Sequence, residues 1–488
     1  MTRVILATFF LAFTSNAISQ AITVTHTFQD ATTANAAEVN QNFTDLINGV
    51  DAIVRSDDAL SNTATGAFAL LNNTTGGFNT ASGYQALSSN TEGESNTASG
   101  YAALYTNTTG IRNTASGVYA LFNNITGNDN TAVGRAALYN NTEGFTNTAS
   151  GMDALFANTT GSQNTASGYR ALYNNITGIN NTASGHAALF SNTAGNTNTA
   201  IGMRALLANT TGDSNTASGT SALENNITGI YNTASGVEAL FNNTEGSSNT
   251  ASGMRALFAN TTGINNTASG RLALKNNNGN GNTAVGHQAL EGNATGNNNT
   301  AIGYLADSEF NNLTNATAIG YNAQVNDSNK VRIGNTSVTV IEGEVAFSAS
   351  SDARLKENIT VVDVGLALVN DLNPVSYHRI NSSSDDIEMG LLAQEVEEVL
   401  ATHGLSNSGM VHQASEDAYR SVRYNDLLAP MIRAIQELDD AADAKDQQIA
   451  SLQEQLKSQQ EEVLAIVQSQ QEQIAQLQRM VEHQFVAR

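Results

Sequence analysis

The sequence predicts a mainly β protein, a parallel β-roll or solenoid of 17-residue coils, followed by an α+β domain and a long coiled-coil helix. The strongest of three supporting observations is a pentapeptide, N-T-A-S-G, that recurs at a fixed spacing over half of the chain. Asn, Thr, Ala and Gly dominate, while charged residues make up only 13% of the 488 residues. Heptad spacing in the last fifty residues is the third observation.

Composition and charge exclude several function classes. A formal net charge of −23 without any Lys/Arg run argues against binding to nucleic acid or anionic lipid. Absence of cysteine removes disulfides, thiol catalysis and cysteine-based zinc sites. His378, His403 and His412 lack metal-ligand spacing, and the repeat lacks the regular Asp of a calcium-binding roll. We expect no metal and no cofactor.

The first 19 residues have the pattern of a secretory signal peptide. Arg3 precedes an apolar run over residues 4–13, and Ala17 and Ser19 provide a small-x-small cleavage site before Gln20. A membrane anchor is the alternative, but the run is too short to span a bilayer. Secretion or display at the cell surface is therefore expected.

The repeat array occupies residues 61–323. Its closing glycine recurs every 17 residues from Gly66 to Gly270 and then at Gly286, Gly303 and Gly320, which makes sixteen copies. Such short units suit a coil of two short strands, N-T-A-S-G and x-x-A-L, joined by Asn- and Gly-rich turns. Stacked coils at the spacing of β-strands give a rod about 75 Å long.

Two columns of the array are predicted to be structural. Asparagine stands four positions before the repeat glycine in every copy except one, which has Ala316, and stacking predicts a ladder of these side chains that bond to one another. Leu87 and its equivalents form an apolar column that only neighbouring coils bury. A threonine face that binds ice is a weak alternative, because the strand has no T-x-T pair.

N-T-A-V-G and N-T-A-I-G, at Asn130–Gly134 and Asn299–Gly303, resemble the head repeat of trimeric autotransporter adhesins. The resemblance covers 62–320 and implies a left-handed β-roll with three chains side by side. The usual repeat of that family is shorter than 17 residues, and its membrane-anchoring barrel is absent from this sequence.

Segments on both sides of the array suggest a homotrimer. The first, 20–60, has a heptad seam that predicts a helix over 34–53 with Thr33 as its N-cap, either in a coiled coil or packed on the first coil. A β neck is predicted over 324–350, because residues 330–348 alternate Val and Ile with polar residues. The tail, 439–488, predicts a coiled coil about 70 Å long, with a stutter past Val463.

The motif S-S-D-A-R-L-K-E-N-I at 350–359 resembles the opening of the intramolecular chaperone and auto-protease domain of phage endosialidases and tail spikes. Further matching blocks follow in order at 372–377, 390–396, 424–428 and 434–438. This resemblance implies an α+β chaperone domain over 351–438. One departure is Ala401, where the family often has proline.

The resemblance implies a Ser–Lys dyad, with Ser351 as nucleophile, Lys356 as base and the Ser350–Ser351 bond as the bond that is cut. A lysine acts as a base only if burial lowers its pKa. Arg354 or backbone amides are candidates to stabilise the oxyanion. The five-residue offset requires a loop or turn to bring the two side chains together. Without the resemblance, Ser351 is one more serine in a Ser-rich loop.

The sequence thus predicts an exported trimeric fibre, similar to an adhesin shaft, whose terminal domain assembles the trimer and then cuts itself off. Its expected partners are two further copies of itself and a host-cell, matrix or glycan surface. A non-cleaving scaffold and a prophage-derived tail fibre remain alternatives, although a signal peptide disfavours the latter.

Overall fold

The computed structural model describes residues 54–57, 60–344, 350–380, 387–413 and 419–486. These residues belong to two compact units that meet in the chain between Asn335 and Thr336. The predicted signal peptide and the predicted helix over 34–53 lie outside the described residues. Within the described part, no helix combines the length and apolar character needed to cross a bilayer.

The first unit is a parallel β-solenoid of sixteen coils, as the repeat predicts. Each coil contributes one short strand to a single sheet, and each strand pairs in register with the strand of the next coil, Thr80 with Thr97 and Ala81 with Ala98. Strand β1 caps the first coil and runs antiparallel to β2. The strands are β1 Val54–Asp57, β2 Asn62–Thr65, β3 Thr80–Ser82, β4 Thr97–Ser99, β5 Thr114–Ser116, β6 Thr131–Val133, β7 Thr148–Ser150, β8 Thr165–Ser167, β9 Thr182–Ser184, β10 Thr199–Ile201, β11 Thr216–Ser218, β12 Thr233–Ser235, β13 Thr250–Ser252, β14 Thr267–Ser269, β15 Thr283–Val285, β16 Thr300–Ile302, β17 Asp307–Ser308, β18 Thr317–Ile319, β19 Gln324–Val325 and β20 Val331–Ile333.

The prediction of a second strand at x-x-A-L is wrong. This segment forms turns in which Gln85 and Leu87 have φ of 56° and 50°, in the left-handed region. Consecutive side chains of a strand point to opposite faces, so a strand would leave either Ala86 or Leu87 outside the core. The left-handed turns allow both side chains to be fully buried. The predicted apolar column of leucines is confirmed.

The repeat glycines from Gly66 to Gly303 are required by close approach of the next coil. Gly83 has a φ of +139°, and a Cβ at this position would overlap the carbonyl group of Gly100. A side chain here would push neighbouring coils apart and break the pairing of their strands.

Asparagines form two buried columns, one in the turn and one at the position that the sequence analysis singled out. The continuous ladder of side chains lies in the turn. In the turn, Asn107 Nδ2 donates to Asn90 Oδ1 at 2.7 Å and to Gly110 O at 3.0 Å. In the predicted column, Asn79 Oδ1 instead accepts the backbone N–H of Asn96 at 2.9 Å, and Asn96 Nδ2 donates to Gly110 O at 2.8 Å. This column therefore joins side chains mainly to backbone. The predicted bond between successive side chains occurs there in four places at 3.2 Å, as from Asn164 Nδ2 to Asn147 Oδ1.

A ladder of stacked aromatic rings follows the leucine column over six coils. Successive ring centroids are 5.1 to 5.2 Å apart and the rings lie within 9° of parallel. The rings therefore cover one another's faces. The residues are Tyr105, Phe122, Tyr139, Phe156, Tyr173 and Phe190.

The solenoid continues beyond the sixteenth repeat glycine. Strand β20, Val331–Ile333, pairs in parallel with β18 and extends the main sheet, while β17 and β19 pair with each other. The alternating pattern over 330–348 predicted strand throughout, but residues 334–344 contain no strand. Among the described residues, the predicted neck over 324–350 therefore contains only the two short strands β19 and β20.

The second unit is small apart from one helix. Its elements are the helices α1 Leu366–Asp371, α2 Ala393–Thr402 and α3 Leu428–Val486, two 3-10 turns, Ala353–Leu355 and Tyr424–Leu427, and two antiparallel strand pairs, β21 Val375–Tyr377 with β22 Glu388–Gly390 and β23 Val411–His412 with β24 Ser421–Val422. A small core joins α1, α2 and the 3-10 turn before α3 through Leu368, Val396, Leu400, Met410 and Leu427.

Helix α3 confirms that the tail is one long helix. Pro430 lies in its first turn, where a missing backbone N–H leaves no helical hydrogen bond unmade. The seam residues Ile449, Leu452, Leu456 and Val463 are exposed in the single chain. The coiled coil itself stays a prediction.

Replacing Asn175 with alanine is expected to destabilise the surrounding coils by about 2 to 3 kcal/mol, because it leaves buried polar groups unsatisfied. Asn175 Nδ2 donates to Asn158 Oδ1 and Gly178 O, and its Oδ1 accepts from Asn192. Hydrogen exchange of the amides in these coils measures the change. Asn174→Ala, at the half-buried neighbour, is the matched control. Equal effects of the two substitutions would contradict the importance of the buried column.

The last coils are expected to lose stability as the pH rises from about 4 to 6. Asp307 stands where the fourteen preceding coils have leucine, and its burial raises its pKa to about 6. The charge of Glu291 raises the pKa of Asp307 further. The N–H groups of Gly292 and Ser308 donate to the carboxylate and act in the opposite direction. Between these pH values the unfolded chain loses the Asp307 proton while the folded chain keeps it, so ionisation favours unfolding.

Asp307→Asn should remove this pH dependence, and Glu309→Gln, at an exposed neighbour, should leave it unchanged. Hydrogen exchange of the last coils at pH 4.5 and 7.5 makes the comparison. A wild-type chain whose last coils are equally stable at both values would contradict the expectation.

Candidate active site

One turn of 3-10 helix, Ala353–Leu355, organises the segment that was predicted to carry the chemistry. Asp352 caps this turn, since its Oδ1 accepts the backbone N–H of Arg354 at 2.9 Å. The backbone N–H of Lys356 closes the turn by donating to Ala353 O at 3.2 Å. Aspartate is a preferred capping residue, so this short sequence is suited to forming the turn.

The turn brings Ser351 and Lys356 together. Lys356 Nζ donates a hydrogen bond to Ser351 Oγ at 2.7 Å. The backbone reverses between the two residues, which is how a five-residue offset becomes a contact. A lysine amine at this distance is in reach of the serine proton.

Both side chains of this pair lie at the surface of the single chain. Ser350, Ser351 and Lys356 are all exposed. Water therefore has access to the lysine amine. The geometry for proton transfer is in place, while the low-dielectric surroundings that would activate the lysine are not provided by the described residues of one chain.

The guanidinium of Arg354 is bound to Asp352. Its Nη2 lies 2.7 Å from Asp352 Oδ2, and its Nε lies 3.1 Å from Asp352 Oδ1. The hydrogen bond from the Arg354 side chain lowers the pKa of Asp352, and the backbone N–H of Arg354 lowers it further. Stabilisation of an oxyanion by Arg354 would require this guanidinium to turn away from Asp352, and it stays a prediction.

Apolar side chains around the turn are uncovered. Leu355, Ile359 and Val361 are exposed, and residues 356–363 contain no helix or strand. Soluble domains rarely leave such a group of apolar side chains in water unless another surface packs on it. The segment that carries the dyad is therefore a candidate contact surface.

The chaperone-of-endosialidase family accounts for this segment. Residues 351–405 match the Peptidase S74 family model, described as a chaperone of endosialidase. The C-terminal unit thus carries an endosialidase-type chaperone domain, behind a β-solenoid. The matched segment begins at Ser351. No curated protein and no solved structure matches the chain significantly.

The match of this segment to a peptidase family supports an auto-cleaving activity in general terms. The match includes Ser351, Arg354 and Lys356, and the blocks at 372–377 and 390–396. The blocks at 424–428 and 434–438 lie beyond its end. They form the second 3-10 turn and the first part of α3.

Sequence reasoning missed Asp352, which both caps the turn and binds Arg354. Its signal was present, because an Asp followed by a short run of helix-compatible residues is a typical capping pattern. Glu397 of α2 pairs with Arg420 at 2.9 Å. His403 contacts Asp371 at 2.8 Å. Among the described residues, no group of three or more His, Asp or Glu side chains is arranged to hold a metal ion.

Proposed function

We propose that this chain is an exported trimeric surface fibre whose C-terminal domain drives trimerisation and is then released by cleavage between Ser350 and Ser351. The observation that carries the proposal is the 2.7 Å hydrogen bond from Lys356 Nζ to Ser351 Oγ, at the first residue of the segment that matches the chaperone family. The domain is the intramolecular chaperone, and the solenoid is the shaft that it leaves behind.

The proposed reaction begins with attack by the serine on the bond before it. Neutral Lys356 takes the proton from Ser351 Oγ while Oγ forms a bond to the carbonyl carbon of Ser350. Collapse of this adduct breaks the C–N bond, and Lys356 returns the proton to the leaving nitrogen of Ser351. Water then hydrolyses the ester, which frees the Ser350 carboxylate and the Ser351 hydroxyl group.

Proximity supplies much of the rate in such a reaction. The nucleophile and the scissile bond belong to adjacent residues, so no substrate has to be bound and oriented. Each domain acts once, on its own chain. Arg354 or backbone amides would stabilise the negative charge on the Ser350 oxygen.

Trimer formation is the proposed trigger. Packing of Leu355, Ile359 and Val361 against a second copy would exclude water from the neighbouring Lys356. Burial without a countercharge favours the neutral amine, which is the form that acts as a base. Cleavage would then follow assembly and not precede it.

The long helix supports the trimeric state. A helix of 59 residues whose apolar seam is exposed gains stability from partner helices, and heptad spacing lets identical helices pack along the whole seam. Three copies of α3 would thus hold three chaperone domains together.

Export and adhesion complete the proposal. The signal-peptide pattern over residues 1–19 supports export. A shaft of near-identical coils in three copies presents the same surface many times, so weak contacts with a host-cell, matrix or glycan surface would add up to firm attachment. Ring faces of the aromatic ladder are covered by their neighbours and are not available for stacking on sugars.

Mass spectrometry of recombinant 20–488 tests the cleavage. The wild-type chain should yield two fragments that meet between Ser350 and Ser351. Ser351→Ala and Lys356→Ala should stay intact, with cleavage reduced at least about a hundredfold, because the nucleophile or its base is lost.

Ser350→Ala is the matched control, and it should cleave like the wild type, because its side chain has no role in the reaction. Sedimentation of each variant establishes that it is trimeric. A trimeric wild-type chain that stays intact would make the domain a permanent clamp and would overturn the proposed cleavage.

A further inference from the structure

The outward position before the repeat glycine changes from serine to Val or Ile at the C-terminal end of the solenoid. The last four strands of the main sheet have Val285, Ile302, Ile319 and Ile333 there, aligned in register. All four are between 37% and 45% exposed. Earlier coils have serine at this position in most cases, and the exceptions are Thr65, Val133 and Ile201. We call these four residues the C-terminal apolar column.

Further apolar side chains accompany the C-terminal apolar column. Val331, which pairs with Thr317 in the neighbouring strand, is 64% exposed. Tyr304 and Tyr321 follow the repeat glycines of the same coils, are exposed, and stack with their ring centroids 5.7 Å apart. An uncovered apolar surface of this extent on a soluble protein marks a contact site.

The distribution of charge favours a second copy of this chain as the partner that packs on the C-terminal apolar column. Two copies that each carry a net charge of −23 repel each other, so they can approach closely only where carboxylates are absent. In the main sheet, the outward strand positions from β2 to β18 are occupied by Thr, Ser, Val and Ile alone, and Asp307 of β17 belongs to the separate two-stranded sheet. Ion pairs of the array, such as Arg204 with Glu224 and Arg255 with Glu238, lie outside these strands.

The position of the column also suits a contact between identical chains. Serine-bearing coils are nearly identical, so two shafts that met along them would fit equally well after a slip of one coil. A column confined to one end packs against its own copy only when the chains are aligned. It would therefore fix the register of the shafts as well as join them.

We propose that the C-terminal apolar column is the surface through which the shafts of the trimer contact one another, with the serine-bearing coils in looser contact. This inference rests on the proposed trimer and adds which face and which coils of the shaft form its interface. The same face could not then bind another partner along these coils.

Single-cysteine variants of the full chain test the inference, since the chain has no cysteine of its own. Ile302→Cys and Ile319→Cys should form disulfide-linked dimers under mild oxidation, at least tenfold faster than Ile264→Cys. Ile264 is the matched control because it is 40% exposed and lies outside the strands. Two separate column positions guard against one variant that folds badly.

Sedimentation of the same samples separates the two proposals. A trimer in which the column cysteines link no faster than Ile264→Cys would overturn this inference and leave the proposed trimer intact. A monomeric chain at high concentration would overturn both. Preferential linkage at both column positions within a trimer is the expected result.

Discussion

Hydrogen bonding between neighbouring coils is the constraint on which the solenoid depends. A 17-residue coil buries little more than two alanines and one leucine of its own, and its asparagine side chains bond mainly to the coils next to it. A coil that stands alone lacks partners for part of its buried polar groups. Stability is therefore a sum over the interfaces between neighbouring coils.

That regularity creates a problem which the C-terminal unit is suited to solve. Nearly identical coils do not specify which coil of one chain aligns with which coil of another. A separate domain with its own core and a long helix supplies non-repetitive contacts. The exposure of Ser351 and Lys356 in the single chain is consistent with a reaction that waits for assembly, because a lysine acts as a base more readily in surroundings from which a partner excludes water.

Periodicity predicted the solenoid, its sixteen coils and its leucine column, since the same residue in every coil must occupy the same environment. Periodicity did not predict the turns at Ala86 and Leu87, because the pattern x-x-A-L is compatible with a strand. A strand is excluded only because both side chains must be buried. Spacing required a turn between Ser351 and Lys356, and the structure contains it. The capping of the turn by Asp352 was not predicted, although an aspartate before a short run of helix-compatible residues is a typical capping pattern.

The most direct test of an intramolecular chaperone is to unfold the fibre and ask whether it refolds with and without the terminal domain. The uncleaved Ser351→Ala chain should recover its trimer and its β-structure after dilution from denaturant, measured by sedimentation and circular dichroism. The cleaved and separated shaft should fail to do so, although it resists unfolding once formed. Equal recovery of both chains would contradict the account, because the terminal domain would then contribute nothing to assembly.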